Sequence, residues 1–102
     1  MINLDQKMPG EVAAEVAKRV RARRKERGFT QEQLARKAGM SLSSYKRFER
    51  DHQIAFSSLV NIAFALGCED DFAMLFAQPH YASIDDVVKA SQAAARVRRS
   101  SL

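Results

Sequence analysis

Residues 30–50 read TQEQLARKAGMSLSSYKRFER, two helical signatures set almost end to end with only AGMS between them. No other stretch limits the fold as tightly. Thr30 fits an N-cap, and Gln33, three residues on, completes a capping box. Leu34, Ala35 and Ala38 then fall on one face of a short helix. Gly39 sits just past its end, where a left-handed backbone costs glycine least. Ser41 caps a second helix that runs to about Arg50. Two helices this short bury little against each other. The corner therefore predicts a larger helical body that holds the second helix out for presentation.

The flanking segments supply that body. Val12, Val16 and Val20 recur every fourth residue from Glu11 onward, the stripe of a first helix ending at Gly28. After a loop over 51–55, Phe56, Leu59, Val60, Ile62, Ala63 and Leu66 line a strongly apolar fourth helix, stopped at Gly67. A short fifth helix is expected from Glu69, contributing Phe72, Leu75 and Phe76 before Pro79 breaks it. Ser83 with Asp86 forms a second capping box, and Ile84, Val87 and Val88 give a brief apolar stripe before a small, basic tail. No alternating run bounded by turns predicts a strand. The chain reads as all-α: an N-terminal arm over 1–10, a five-helix domain over 11–77, and a C-terminal extension over 78–102 with a short helix. Its 102 residues suffice for one modest core.

Charge is unevenly spread. Residues 18–50 hold twelve Lys or Arg against Glu26, Glu32 and Glu49, a net +9, whereas residues 51–95 hold Lys89 against six acids, a net −5. A basic half beside an acidic half points to a polyanion on one side and a protein partner on the other. Turning the second helix of the corner at about 100° per residue puts Tyr45 and Phe48 together, facing inward. Ser43, Lys46, Arg47 and Arg50 then lie about 130° or more from that direction, with Leu42 at the edge. Arginine reads guanine O6 and N7 bidentately in the major groove, and serine serves several bases or a phosphate. Helix starts at Thr30 and Ser41 also direct unpaired backbone N–H groups outward, suited to phosphate oxygens. The corner is built to place a helix in the groove of double-stranded DNA.

On these residues the chain resembles the Xre/Cro-type (lambda-repressor-like) helix-turn-helix family. The resemblance centres on QEQLARKAGMSLSSYKRFER and extends from about Val20, through RKERGFTQEQLA, to LVNIAFALG. It implies a sequence-specific transcriptional repressor that acts as a homodimer on a palindromic operator and regulates its own synthesis. It also implies phosphate contacts at Thr30 and Gln31, base reading by Ser41, Leu42, Ser43, Lys46 and Arg47, and Arg50 near the backbone. A buried ion pair is implied between Arg24 and Glu49. Two positions depart from the pattern. The turn ERDHQIAF lacks the usual glycine and proline, and Arg23 stands where the family is usually apolar. The turn and the following EDDFAMLFAQPHYASIDDVVKA are similar to the DNA-binding antitoxins of HipBA and HipBST operons. That similarity implies an adaptor that also holds a toxin or kinase-like partner through residues 67–95.

Other chemistries find little support. A single cysteine, Cys68, and two isolated histidines, His52 and His80, give no metal-ligand spacing. Asp70–Asp71 and Asp85–Asp86 are sequence neighbours that splay apart on a helix, where they offset its dipole instead of forming a catalytic pair. Neither an enzyme activity nor a cofactor is expected. MINLDQKMPG does not read as a secretory leader, and the longest apolar run is about half a membrane span. A cytoplasmic, nucleoid-associated protein is expected. Phe64, Met74, Leu75 and Phe76, the apolar residues least needed by a monomer core, are the expected dimer interface. Three roles fit the C-terminal extension: a dimerisation arm, a docking segment, or a tail that adds phosphate contacts.

Overall fold

The computed structural model describes residues 7–79 and 83–100, the side chains of 98–100 excepted. His80, the first six residues of the expected N-terminal arm, and the side chains of Arg98 and Arg99 lie outside the described residues. Five α-helices follow in order: α1 (Pro9–Glu26), α2 (Gln31–Lys37), α3 (Leu42–Asp51), α4 (Phe56–Leu66) and α5 (Ile84–Ser100), with a 3-10 turn at Glu69–Phe72 between the last two. No strand occurs among the described residues.

Helix α1 starts two residues before Glu11, with Pro9 in its first turn, where the missing N–H has no intrahelical partner to lose. The α2–α3 corner closes as its residues dictate. Thr30 Oγ1 accepts from Gln33 N at 3.0 Å, and Gln33 Oε1 accepts from Thr30 N at 2.9 Å. At the far end, Gly39 adopts φ +69°. Met40 N donates to Ala35 O at 3.0 Å and Gly39 N to Arg36 O at 3.1 Å, satisfying carbonyls the helix would leave open. Ser41 Oγ then accepts from Ser44 N at 3.1 Å and starts α3.

The core is small. Leu34, Ala35 and Ala38 of α2 meet Tyr45 and Phe48 of α3, Ile62 and Leu66 of α4, and Ala17 of α1. The Tyr45 and Phe48 rings pack edge-to-face, 6.2 Å between centroids. Three alanines among these positions let the helices approach closely, so Tyr45, Leu34 and Ile62 are the largest fully buried side chains. The α1 stripe is only partly covered. Val16 and Val20 are half-buried and Val12 is exposed, because α1 extends past the body beneath it.

Two expectations need correction. The fifth helix from Glu69 is a single 3-10 turn followed by tight turns, with Ala73, Leu75 and Ala77 each donating to the carbonyl three residues back. Phe72 reaches the body, its ring 5.7 Å from that of Phe56, and Leu75, about half exposed, lines a groove beside it. Met74, Leu75 and Phe76 are exposed, and a segment that buries no continuous face gains little from lengthening into an α-helix. The C-terminal helix, in turn, is not short. It runs 17 residues, through most of the basic tail, started by Ser83 Oγ accepting from Asp86 N at 3.2 Å.

The glycine missing after α3 has a visible consequence. His52 takes the left-handed cap conformation itself, at φ 63°, with its N–H on Phe48 O at 2.8 Å. A side chain there costs about 1–2 kcal/mol. His52→Gly is expected to stabilise the protein by about 1 kcal/mol, a rise of roughly 4–8 °C in Tm. An unchanged or lower melt would show that contacts of the imidazole outweigh the backbone strain.

Candidate nucleic-acid interface

Helix α3 presents its polar side outward. Ser41, Ser43, Lys46, Arg47 and Arg50 are exposed and Leu42 is half-buried, whereas Tyr45 and Phe48 are buried on the opposite side. Lys46 and Arg47 make no hydrogen bond or ion pair with the described residues. Ser41, Ser43 and Ser44 gather at the helix start, with Ser41 Oγ donating to Ser44 Oγ at 2.8 Å and lying 3.4 Å from Ser43 Oγ. Beside them, Arg47, Gln53 and Ser58 line a shallow cleft between α3 and the start of α4. The outward face thus offers hydroxyls, an ammonium and a guanidinium, a set of donors suited to phosphate oxygens and base edges.

What aims this face is a buried charge cluster. Arg24 uses all three of its nitrogens: Nε donates to Glu49 Oε2 at 2.8 Å, Nη2 to Glu49 Oε1 at 3.3 Å, and Nη1 to Phe29 O at 2.9 Å. Both side chains are about nine-tenths buried, at 10% and 8% exposure. Gln31 Nε2 also donates to Glu49 Oε1, at 3.1 Å. One carboxylate of α3 is therefore held by α1 and α2 together. Burial works against the Glu49 charge, but the hydrogen bonds from Arg24 and Gln31 and the Arg24 charge outweigh it and hold the carboxyl below its ordinary value of 4.5. Burial first, and then the Glu49 charge, pushes the Tyr45 hydroxyl well up and keeps it protonated, against the opposing pull of Arg24. That hydroxyl lies against the ion pair but outside good hydrogen-bond geometry.

The structure divides the remaining sequence candidates. Thr30 is exposed and its oxygen already accepts from Gln33 N, which leaves its own proton to donate. Gln31 is half-buried and its amide is shared with Glu49. Arg50 lies across Asp51, with Nη2 to Oδ2 at 2.9 Å. Both partners are exposed, so a phosphate can displace the carboxylate at little cost. Phe64, Met74, Leu75 and Phe76 are exposed and stand away from this face. Sequence reasoning missed the tie between Gln31 and Glu49, for which a glutamine at the start of α2 gave no signal. It also missed Phe29, whose ring lies 5.7 Å from the Arg27 guanidinium and 5.1 Å from the Lys37 ammonium. Those two cations, counted from sequence toward the +9 of residues 18–50, help to clamp the α1–α2 turn.

Comparison with family profiles agrees with this geometry. The helix-turn-helix family matches residues 20–72, just over half of the chain and the whole α2–α3 corner. The chain belongs to the Xre-type helix-turn-helix family. It is a DNA-binding transcription regulator. Neither curated proteins nor solved structures return a match. Among the described residues, no helix is long and apolar enough to cross a membrane.

Removing Arg24 strands a buried carboxylate in this Xre-type domain. Arg24→Ala is expected to lose about 3–5 kcal/mol in a denaturant or thermal melt, and a loss below about 1 kcal/mol would make the pair a surface contact. Because the folded Glu49 titrates below its unfolded value, its contribution is complete above the ordinary carboxyl range. It is lost as pH falls through the lowered value. Glu49→Gln should therefore melt with a flatter acid dependence than the parent.

Proposed function

We propose that the protein is a sequence-specific repressor that acts as a homodimer on a palindromic operator and regulates its own synthesis. The observation that carries this reading is the outward row of α3, in which Lys46 and Arg47 are exposed and uncommitted. In this reading Ser41, Leu42, Ser43, Lys46 and Arg47 meet the base edges, with Leu42 against a thymine methyl. Thr30, Gln31 and Arg50 hold the flanking phosphates. A single α3 touches only a few base pairs, so selectivity needs two copies, with recognition helices about 34 Å apart across one helical turn. Phe64, Met74, Leu75 and Phe76 supply apolar surface for that contact. Light scattering at micromolar concentration should return a dimer.

A second reading is favoured by the −5 charge of residues 51–95. There, operator binding is half the task, and residues 67–95 hold a toxin or kinase-like partner. A chain ending at Ala77 that binds DNA but releases the partner would support this adaptor, and one that loses no partner would end it.

Selection from randomised duplex DNA at about physiological salt tests the main reading. An inverted repeat with half-sites roughly 10 base pairs apart is expected. On the selected site, Arg47→Ala should lose about 1–3 kcal/mol of discrimination at one base position. Lys46→Ala should weaken all sequences alike and flatten the salt dependence. Equal affinity of Arg47→Ala and the parent would remove Arg47 from the base-reading set.

A further inference from the structure

Away from the α3 face, an apolar groove of about 380 Å³ runs between α1, α4 and the 3-10 turn. Val16, Val20, Phe56, Leu59 and Phe72 form its floor and sides, Arg19 and Arg23 stand on its α1 wall, and Cys68 lines it too. The same chain carries a matching element that its own body does not cover. On α5, Ile84, Val87 and Val88 share one face at i, i+3 and i+4 spacing and are 82%, 40% and 46% exposed. Asp85 borders that stripe. The chain is also far more extended than a compact domain of its length, with a radius of gyration of 18.5 Å against about 13 Å. Groove and stripe stand open at once in a single chain. Asp71 also lines the groove, but Arg19 and Arg23 on its α1 wall, whose own pairs with Glu15 and Glu26 are exposed and easily exchanged, are opposite in charge to Asp85.

We propose that α5 of a second copy of this chain fills the groove, so that the protein is an exchanged dimer in which each protomer seals the other. Ile84, Val87 and Val88 enter between α1 and α4, and Asp85 faces Arg19 and Arg23. The exchange is isologous, with two grooves filled by two helices, so it closes at two copies. An apolar stripe laid into an apolar groove follows the general helix-in-groove mode. No α3 residue lines the groove, so filling it does not use the α3 face. This inference rests on the homodimer proposed above and adds α5 and the groove to the apolar surface named there, of which Leu75 already lines the groove.

The chain's single thiol, Cys68, reports directly on the groove. Val87→Cys and Val88→Cys are made separately in the full chain, at exposed positions where the fold is not at risk, and treated with a short bis-maleimide. A covalent dimer from at least one variant, lost when Cys68→Ser is added, is the expected result. A bridge confined within one chain, read by intact mass, would show α5 folding back on its own body and overturn the exchange. So would a covalent dimer that survives Cys68→Ser, which would place the two α5 helices against each other. A dimer by light scattering with no bridge at either position would overturn the exchange and leave the homodimer standing. A monomer by light scattering would end both.

Discussion

The Glu49 carboxylate is the point on which the presentation of α3 depends. It is the one acid of the corner that is buried, and Arg24 of α1 and Gln31 of α2 hydrogen-bond it while Arg21 stands 4.0 Å away. Taking a carboxylate and a guanidinium out of water is expensive, and an apolar pair of similar size would stabilise the body as well or better. What apolar contact does not supply is direction. Arg24 bonds both Glu49 oxygens and the Phe29 carbonyl, so the end of α1, the turn into α2 and the second half of α3 are held in one orientation. The outward row of α3 is aimed by that orientation.

Around this point the basic residues take two kinds of work. Arg24, Arg27 and Lys37 are turned to holding the corner together. Arg19, Arg23 and Arg36 pair with neighbouring acids on exposed helix surfaces, where such pairs contribute little. Lys46 and Arg47 have no such commitment. A protein that must release counterions from a phosphate backbone needs cations whose own pairing does not compete, and these two sit on the outward side of α3.

The apolar residues divide in a comparable way. The core is tight but small, and Phe56, Phe64, Met74, Leu75, Phe76 and Ile84 remain exposed. Phe76 is nearly fully exposed and also holds a left-handed backbone at φ 56°, an arrangement that gives the monomer nothing in return. These are the residues that the proposed homodimer would cover.

Much of the corner was legible because short-range rules determine it. Thr30 with Gln33, the glycine at 39, the cap at Ser41 and the inward pair Tyr45 and Phe48 each follow from spacings of three or four residues within one helix or turn. The family profile covers the same stretch. The sequence by itself therefore determined the helical class, the corner and the side of α3 that faces out. Tertiary structure alone decided where the turn after α4 stops being helical, how little of the Val12–Val20 stripe is covered, and that Gln31 is tied to Glu49. It also decided that a groove lies open between α1 and α4. These features depend on which surfaces meet across the fold, and no local period records how far apart two helices stand once a few alanines between them have been packed.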